Sequence, residues 1–291
     1  MDYRKRFAVE PGAKVRLDKI DPAFKDKHES HDAAAPEIEN HVERMAKLQY
    51  LLYADGNQSL LVVLQALDAG GKDGVVRHVF SAMNPQGTRV FGFKQPSKLE
   101  AAHDFLWRAH LRTPGKGEVV IFNRSHYEDV LVVRVHKLVP KPVWSKRYEL
   151  INDFERMLHE NGTRILKFYL HISSEEQLER FKQRLDDPPR HWKISESDYS
   201  ERELWPNYIE AFEDAMERTS TKHAPWYVIP SNHKWFRNLA ISEIVADTLE
   251  DMYLKLPPPQ VDIAEIRRKY HAAAAQEARR GNKQAQASRD K

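Results

Sequence analysis

A glycine-rich segment at residues 66–73, ALDAGGKD, carries the residue types that hold phosphate groups in proteins. Its glycines let the backbone approach an anion, the free N–H groups of a following helix point at that anion, and Lys72 adds a positive charge. The segment departs twice from G-x-x-x-x-G-K-S/T, because Ala66 replaces the first glycine and Asp73 replaces the residue whose hydroxyl would bind magnesium. We name it the phosphate segment; an ordinary glycine turn with a capping aspartate is the alternative explanation.

Two carboxylates of the phosphate segment, Asp68 and Asp73, indicate that a cation binds there. A carboxylate repels a bare phosphate, so two of them are useful only if divalent ions lie between the protein and the phosphate oxygens. Mg²⁺ binds carboxylate and phosphate oxygens together. We therefore expect Asp68 and Asp73 to hold Mg²⁺, with Mn²⁺ able to substitute.

A second polar group, NRSHYED at residues 123–129, follows the apolar run EVVIF. Ligands bind at the carboxyl ends of the strands in parallel sheets, so this position favours a site. An Asp is usual there to hold magnesium, whereas Asn123 offers only a neutral carbonyl oxygen. Arg124 can neutralise a transferring phosphoryl group. The alternative is a helix start capped by Asn123 or Ser125.

A third segment is rich in cations on both sides of Pro188-Pro189. A helix, a proline break and a second helix predict a lid over about residues 184–204. Closure of such a lid excludes the water that would hydrolyse a phosphoryl donor. A solvated charged hairpin is the alternative. The lid cations are Arg184, Arg190 and Lys193.

The elements that must position these three segments alternate between strand and helix patterns. Buried-strand patterns lie at residues 60–67, 88–93, 118–123, 164–172 and 224–230, and helical periodicity lies at 37–54, 75–83, 99–111, 144–159, 174–185 and 235–254. This alternation predicts an α/β fold in which a parallel sheet lies between two layers of helices. We expect an N-terminal arm over residues 1–45 that wraps the domain, a main domain over 46–256, and a charged tail over 257–291 that is helical or partly disordered.

Length, charge and composition limit the class of protein. The chain has 291 residues, with 46 Lys and Arg against 43 Asp and Glu, so its formal net charge is only +3. A polyanion must therefore be met by a local cluster of cations. The absence of cysteine, of a signal-like start and of an apolar run near the roughly 20 residues that span a bilayer predicts a soluble cytoplasmic protein without a membrane partner. The 14 histidines contain no H-E-x-x-H or comparable metal-binding pair.

Five blocks resemble, in order, those of the polyphosphate kinase 2 family: LDAGGKDG, FNRSHYEDVLVVRVH, RLDDPPRHWKIS, SDYSERELWPNYIEAFEDAM and TKHAPWYVIPSNHKWFRN. The resemblance runs over residues 42–254. It implies a P-loop kinase-like fold with a helical lid, and Mg²⁺-dependent transfer of a phosphoryl group between inorganic polyphosphate and a nucleotide.

Carried over by position, the resemblance implies catalytic roles for Asp68, Lys72, Asp73, Asn123 and Arg124. It puts the backbone of the phosphate loop at Ala69, Gly70, Gly71 and Gly74, and binding of the nucleotide at Arg184, Arg190 and Lys193. Basic residues downstream of the phosphate segment could line a channel for a long polyanion. The residues expected to bind polyphosphate are Arg77, Lys94, Arg124 and Arg134.

The run His-Tyr-Glu-Asp at residues 126–129 resembles the subgroup that phosphorylates both AMP and ADP, which makes Glu128 the candidate for acceptor choice. The expected partners are polyphosphate and AMP or ADP, without nucleic acid, and we expect a homo-oligomer, either a dimer or a tetramer. Two other functions stay open. One is a nucleoside monophosphate kinase that uses ATP, and the other is a non-catalytic protein that binds a polyanion such as RNA.

Overall fold

The computed structural model describes residues 1–289, with side chains as far as residue 281, and a parallel five-stranded sheet lies at its centre. The strands are β1 (Ser59–Gln65), β2 (Thr88–Gly92), β3 (Val119–Asn123), β4 (Thr163–His171) and β5 (Trp226–Pro230). Their spatial order is β2-β3-β1-β4-β5, so β1 is central and pairs with β3 and β4. All seven residues of β1 are buried, as expected for a strand covered on both faces.

Helices cover both faces of the sheet, which confirms the predicted α/β class. They are α1 (Tyr3–Phe7), α2 (His31–Asp55), α3 (Lys72–Val79), α4 (Lys98–Ala101), α5 (Trp107–His110), α6 (Val132–Val135), α7 (Lys141–Trp144), α8 (Arg147–Glu160), α9 (Ser174–Asp186), α10 (Glu196–Glu203), α11 (Trp205–Thr219), α12 (Lys234–Glu250) and α13 (Ile263–Arg289). Short 3-10 turns occupy Leu17–Lys19, His126–Asp129 and Pro188–Lys193.

The pleat of β1 divides its side chains between two apolar cores. Leu60, Val62 and Leu64 lie in the core that contains residues of α2, α3 and α12. Leu61 and Val63 lie in the opposite core, with residues of α8 and α11. Successive side chains of a strand point to opposite faces, so a strand that is apolar at every position fits only between two helical layers.

Two predicted helices differ from those in the structure. The helix predicted over residues 99–111 is wrong as a single element, because Asp104 accepts a hydrogen bond from the N–H of Leu106 at 2.9 Å and separates α4 from α5. The helix predicted over residues 37–54 begins earlier, at His31. Ser30 caps it by accepting from the N–H of Ala33 at 3.2 Å, and the helix continues through Pro36.

The first residues of the chain complete one edge of the sheet. Tyr3 and Phe7 are buried in the core beside α12. Ala8 forms an antiparallel bridge with Tyr227 of β5, and the N–H of Val9 donates to the carbonyl of Trp226 at 2.9 Å. This segment therefore covers the outer edge of β5, which would otherwise present unpaired backbone groups.

The chain divides into two compact units, of which the first runs from residue 1 to 255 and contains the sheet. The second begins at Leu256 and contains the single helix α13, which lies within the predicted charged tail. Residues 290 and 291 of that tail lie outside the described residues. Over residues 1–289, none of the helices combines the length and the apolar character needed to cross a membrane.

Candidate active site

A cleft of about 1040 Å³ opens where β1, β2 and β3 end, and the phosphate segment and the lid both line it. Two of its side chains are carboxylates, Asp68 and Asp73. Ten are cations, a local concentration of positive charge that contrasts with a net charge of +3 for the chain. The cations are Lys72, Arg77, Lys94, Arg124, Arg180, Arg184, Arg190, Lys193, Lys234 and Arg237.

The phosphate segment joins β1 to α3 in a conformation that depends on glycine. Gly71 precedes the first residue of α3 with φ of 100°, a left-handed conformation that side-chain-bearing residues rarely adopt. A Cβ on Gly70 would collide with the side chain of Ala66. The backbone therefore turns tightly into α3, and the first residues of α3 line the cleft. The free N–H groups at the start of a helix are suited to binding a phosphate.

Lys72, the first residue of α3, folds back onto the phosphate segment. Its Nζ donates to the carbonyl oxygens of Ala66 at 2.8 Å and of Leu67 at 3.4 Å. The residue is 9% exposed. Burial, together with the nearby charge of Arg124, lowers the pKa of Lys72 to about 8.

Cations already neutralise both carboxylates of the cleft. Arg124 donates to Asp68 at 2.8 Å, and Lys193 of the lid donates to Asp73 at 3.1 Å. Asp73 also accepts from the side-chain amide of Asn123 at 2.9 Å. Burial alone would raise the pKa of Asp73, but these hydrogen bonds hold it below its usual value.

Two contacts within the lid, residues 184–204, join the segments on either side of its proline break. Arg184 donates to the carbonyl oxygen of Lys193 at 3.0 Å, and Arg190 pairs with Asp187 at 2.8 Å. The bond from Lys193 to Asp73 joins the lid to the phosphate segment, and Arg184 and Arg190 line the same cleft.

Glu128 lies behind Arg124 in a second, small cavity of about 40 Å³, and not in the main cleft. Its carboxylate is 3.6 Å from the guanidinium of Arg124, and burial raises the pKa of Glu128. Arg124 and Asp68 line both cavities. Glu128 can therefore act on the main cleft through Arg124.

A buried ion pair supports the turn that carries Glu128. Lys167 of β4 donates to the carboxylate of Glu155 on α8 and, at 2.9 Å, to the hydroxyl of Tyr127. Tyr127 donates in turn to Glu155 at 2.9 Å. All three side chains have no solvent exposure. This network fixes the turn at residues 126–129, directly after Arg124.

The structure does not bring Arg134 to the cleft. Its guanidinium donates to Asp214 and Glu210 of α11, both at 2.6 Å, and stacks on the ring of Trp144. The polyphosphate-binding role predicted for Arg134 therefore has no support from the geometry, because two carboxylates already neutralise its charge. Apart from Glu128 and Arg134, every site residue predicted from the sequence lines the main cleft.

Three cations of the cleft escaped the sequence prediction. Arg180 of α9 is 5% exposed and donates to the carbonyl oxygen of Ala69 at 2.8 Å. Lys234 and Arg237 lie in the first turns of α12, directly after β5. Their positions in the helices that follow β4 and β5 could have predicted them, because residues that follow a strand of a parallel sheet are close to the ligand-binding edge.

A separate cluster of Glu37, His41 and Glu243 contains three side chains that could in principle hold a metal ion. The Nδ1 atom of His41, however, accepts a hydrogen bond from Arg44 at 2.9 Å. The proton of a neutral imidazole is then on Nε2, the atom that faces the two carboxylates, so it has no lone pair for a metal. We assign no metal to this cluster.

Comparisons with known proteins show which family this chain resembles. The polyphosphate kinase 2 (PPK2) family model matches residues 28–257. An "AMP/ADP-polyphosphate phosphotransferase" of Meiothermus ruber is 51% identical over 263 residues, 90% of this chain and 98% of the relative. An "ADP-polyphosphate phosphotransferase" of Rhodopseudomonas palustris is 44% identical over 87% of this chain and 92% of its own length. The crystal structure of polyphosphate kinase 2 from Arthrobacter aurescens superimposes with a TM-score of 0.86 at 40% identity, over 91% of this chain and 98% of that one. The chain therefore belongs to the polyphosphate kinase 2 family.

Proposed function

We propose that this protein is a kinase that transfers a phosphoryl group from inorganic polyphosphate to AMP and ADP, giving ADP and ATP. The observation that carries the proposal is a cleft in which ten Lys or Arg side chains surround the phosphate segment. Donor and acceptor are both polyanions, and their repulsion is the main obstacle to transfer. The names of the relatives from Meiothermus ruber and Rhodopseudomonas palustris support the same donor and acceptors.

The proposed transfer needs no strong general base. A phosphate oxygen of the nucleotide is already anionic near neutral pH and attacks the terminal phosphorus of polyphosphate. The bond from that phosphorus to its bridging oxygen breaks, and the bridging oxygen leaves with the shortened chain. Lys72 and Arg124 lower the repulsion between the two anions and stabilise the charge that develops on the transferring group.

We further propose that Asp68 and Asp73 hold Mg²⁺, for which Mn²⁺ can substitute. Carboxylates at the rim of a phosphate-binding cleft are the oxygen ligands that these ions prefer, so the residues fit the ion. A bound ion would neutralise phosphate charge. Arg124 and Lys193 occupy the two carboxylates in the structure and compete with a cation for them.

Acceptor choice and water exclusion are assigned to different parts of the site. Glu128 is proposed to influence the choice between AMP and ADP by holding Arg124, since its carboxylate touches that guanidinium. The lid is proposed to keep water from the donor. A homo-oligomeric state, as a dimer or tetramer, and a cytoplasmic location stay predictions.

The test mixes the purified protein with Mg²⁺, long-chain polyphosphate and either AMP or ADP, without ATP, and follows nucleotides by chromatography. ATP from ADP, and ADP followed by ATP from AMP, is the expected result. Product from ADP alone would keep the family activity and contradict the role of Glu128. No product from either acceptor would refute the proposal and favour an ATP-dependent kinase or a polyanion-binding protein.

A further inference from the structure

Arg237, in the first turns of α12, is buried beside the phosphate segment with no carboxylate partner among the residues whose side chains the structure describes. It is 2% exposed. Its Nε and Nη2 atoms both donate to the side-chain oxygen of Asn238, at 3.1 and 2.8 Å. Burial, reinforced by the nearby charge of Arg180, lowers the pKa of Arg237 to about 9. A buried charge compensated only by an amide oxygen is unfavourable unless an anion binds to it.

The guanidinium of Arg237 fills the space left by two glycines at the start of α3. A Cβ added to Gly71 would collide with Nη1 of Arg237, and one added to Gly74 would lie 3.1 Å from Nη2. The group therefore lies against the turn that leads into α3, whose first residues line the cleft. An anion held at this helix start is within reach of the same guanidinium.

The neighbours of Arg237 indicate which anion binds to its guanidinium. Arg180, Lys234 and Arg77 line the same cleft from α9, α12 and α3, so the cleft has further cations besides Arg237. Arg237 is absent from the lining of the small cavity that contains Glu128. Several cations in addition to Lys72 and Arg124 suit a long phosphate chain, whereas AMP and ADP present only one and two phosphates.

We propose that Arg237 binds the polyphosphate donor where its chain passes the phosphate segment, and that this chain supplies the missing negative charge. The inference rests on the proposed function and adds a donor-binding residue to it. Without polyphosphate the charge of Arg237 is uncompensated. Removing it should therefore weaken donor binding and leave the unliganded fold intact, the opposite of what a structural arginine does.

Two single variants and their combination test the proposal. Arg237→Met keeps much of the side-chain volume and removes the charge; we expect KM for polyphosphate to rise by about tenfold to a hundredfold, the range for lost hydrogen bonds to charged groups. KM for ADP should stay within about twofold, because the acceptor makes no comparable contact. Gly74→Ala should raise KM for polyphosphate by a smaller factor, because its methyl group would lie 3.1 Å from Nη2 and push the guanidinium slightly aside, and should have no further effect in the Arg237→Met background.

Stability separates a binding role from a structural one. The melting temperature of metal-free Arg237→Met should equal or exceed that of the wild type, and the rise that polyphosphate causes should shrink. The matched control is Arg44→Met, which removes an arginine paired with Asp247 and Glu250, each at 2.8 Å. This control should lower the melting temperature and keep KM for polyphosphate.

The outcomes distinguish a failure of the proposed function from a failure of the inference about Arg237. A wild type that forms no product from polyphosphate with either AMP or ADP refutes the proposed function, and the inference fails with it. A wild type that turns over, with an Arg237→Met variant whose KM for polyphosphate is unchanged, refutes the inference alone. An Arg237→Met variant that melts several degrees lower, or additive effects of Gly74→Ala and Arg237→Met, would show a structural role instead.

Discussion

Replacing Lys72 by Met should reduce turnover by about 10³-fold and stabilise the protein at neutral pH. Burial and Arg124 lower the pKa of Lys72 from 10.5 to about 8, so the charged side chain opposes folding. At 1.36 kcal/mol per pKa unit, this opposition is about 3 kcal/mol at pH 7. The variant also loses the hydrogen bonds to the carbonyls of Ala66 and Leu67. Each lost bond reduces the gain in stability by about 1 kcal/mol. We expect a net stabilisation of about 1 kcal/mol and a loss of about 10³-fold in turnover, the effect of removing one group that stabilises developing charge.

The pH dependence of the stability difference between the wild type and Lys72→Met tests the same reasoning independently. The folded state disfavours the proton on Lys72, so the unfolded state binds more protons between pH 8 and 10.5, and the wild type gains stability as pH rises through this window. The advantage of Lys72→Met should therefore shrink over that window. Urea unfolding at pH 7 and pH 10, with turnover measured alongside, provides both quantities. A variant that is less stable than the wild type at pH 7, or whose turnover of polyphosphate falls by less than about tenfold, would refute the reasoning.

Three further predictions concern the ion pairs of Lys167, Lys193 and Arg134. Glu155→Gln should cost about 3–5 kcal/mol in urea unfolding, because it leaves the buried charge of Lys167 unpaired, and a loss below about 1 kcal/mol would contradict this. Lys193→Ala should tighten binding of Mn²⁺ several-fold in the absence of nucleotide, because Lys193 competes for Asp73; electron paramagnetic resonance measures this, and unchanged affinity would show that the pair does not compete. Arg134→Met should leave KM for polyphosphate within about twofold of the wild type. A rise of about tenfold would show that Arg134 binds the donor.

The sequence was most informative where one local pattern has one structural solution. Continuous apolar runs such as residues 60–64 can be buried only between two layers, which predicted a parallel sheet and helices on both faces. The phosphate segment and Asn123 follow two adjacent strands, so their meeting at one edge of the sheet was predictable from the strand pattern alone.

Positions set by long-range contacts were not predictable in the same way. Arg134 and Arg237 are both arginines near apolar elements in the sequence, yet α11 supplies two carboxylates to Arg134, and the described residues supply none to Arg237. Which of them binds an anion depends on these contacts across 70 or more residues, and neither local spacing nor composition carries that information. The break at Asp104 has a local cause, but a side chain that either continues or interrupts a helix leaves both outcomes open.

The bridge between Ala8 and Tyr227 has a consequence for the order of folding. It joins residues 219 positions apart, so the chain must close a very long loop before this pairing forms. Long-range pairings are slow relative to local ones, and we expect the outer edge of β5 to be the last part of the sheet to be covered. Ala8 is synthesised before β5 but pairs with it late, and the uncovered edge of β5 is a site for self-association during refolding.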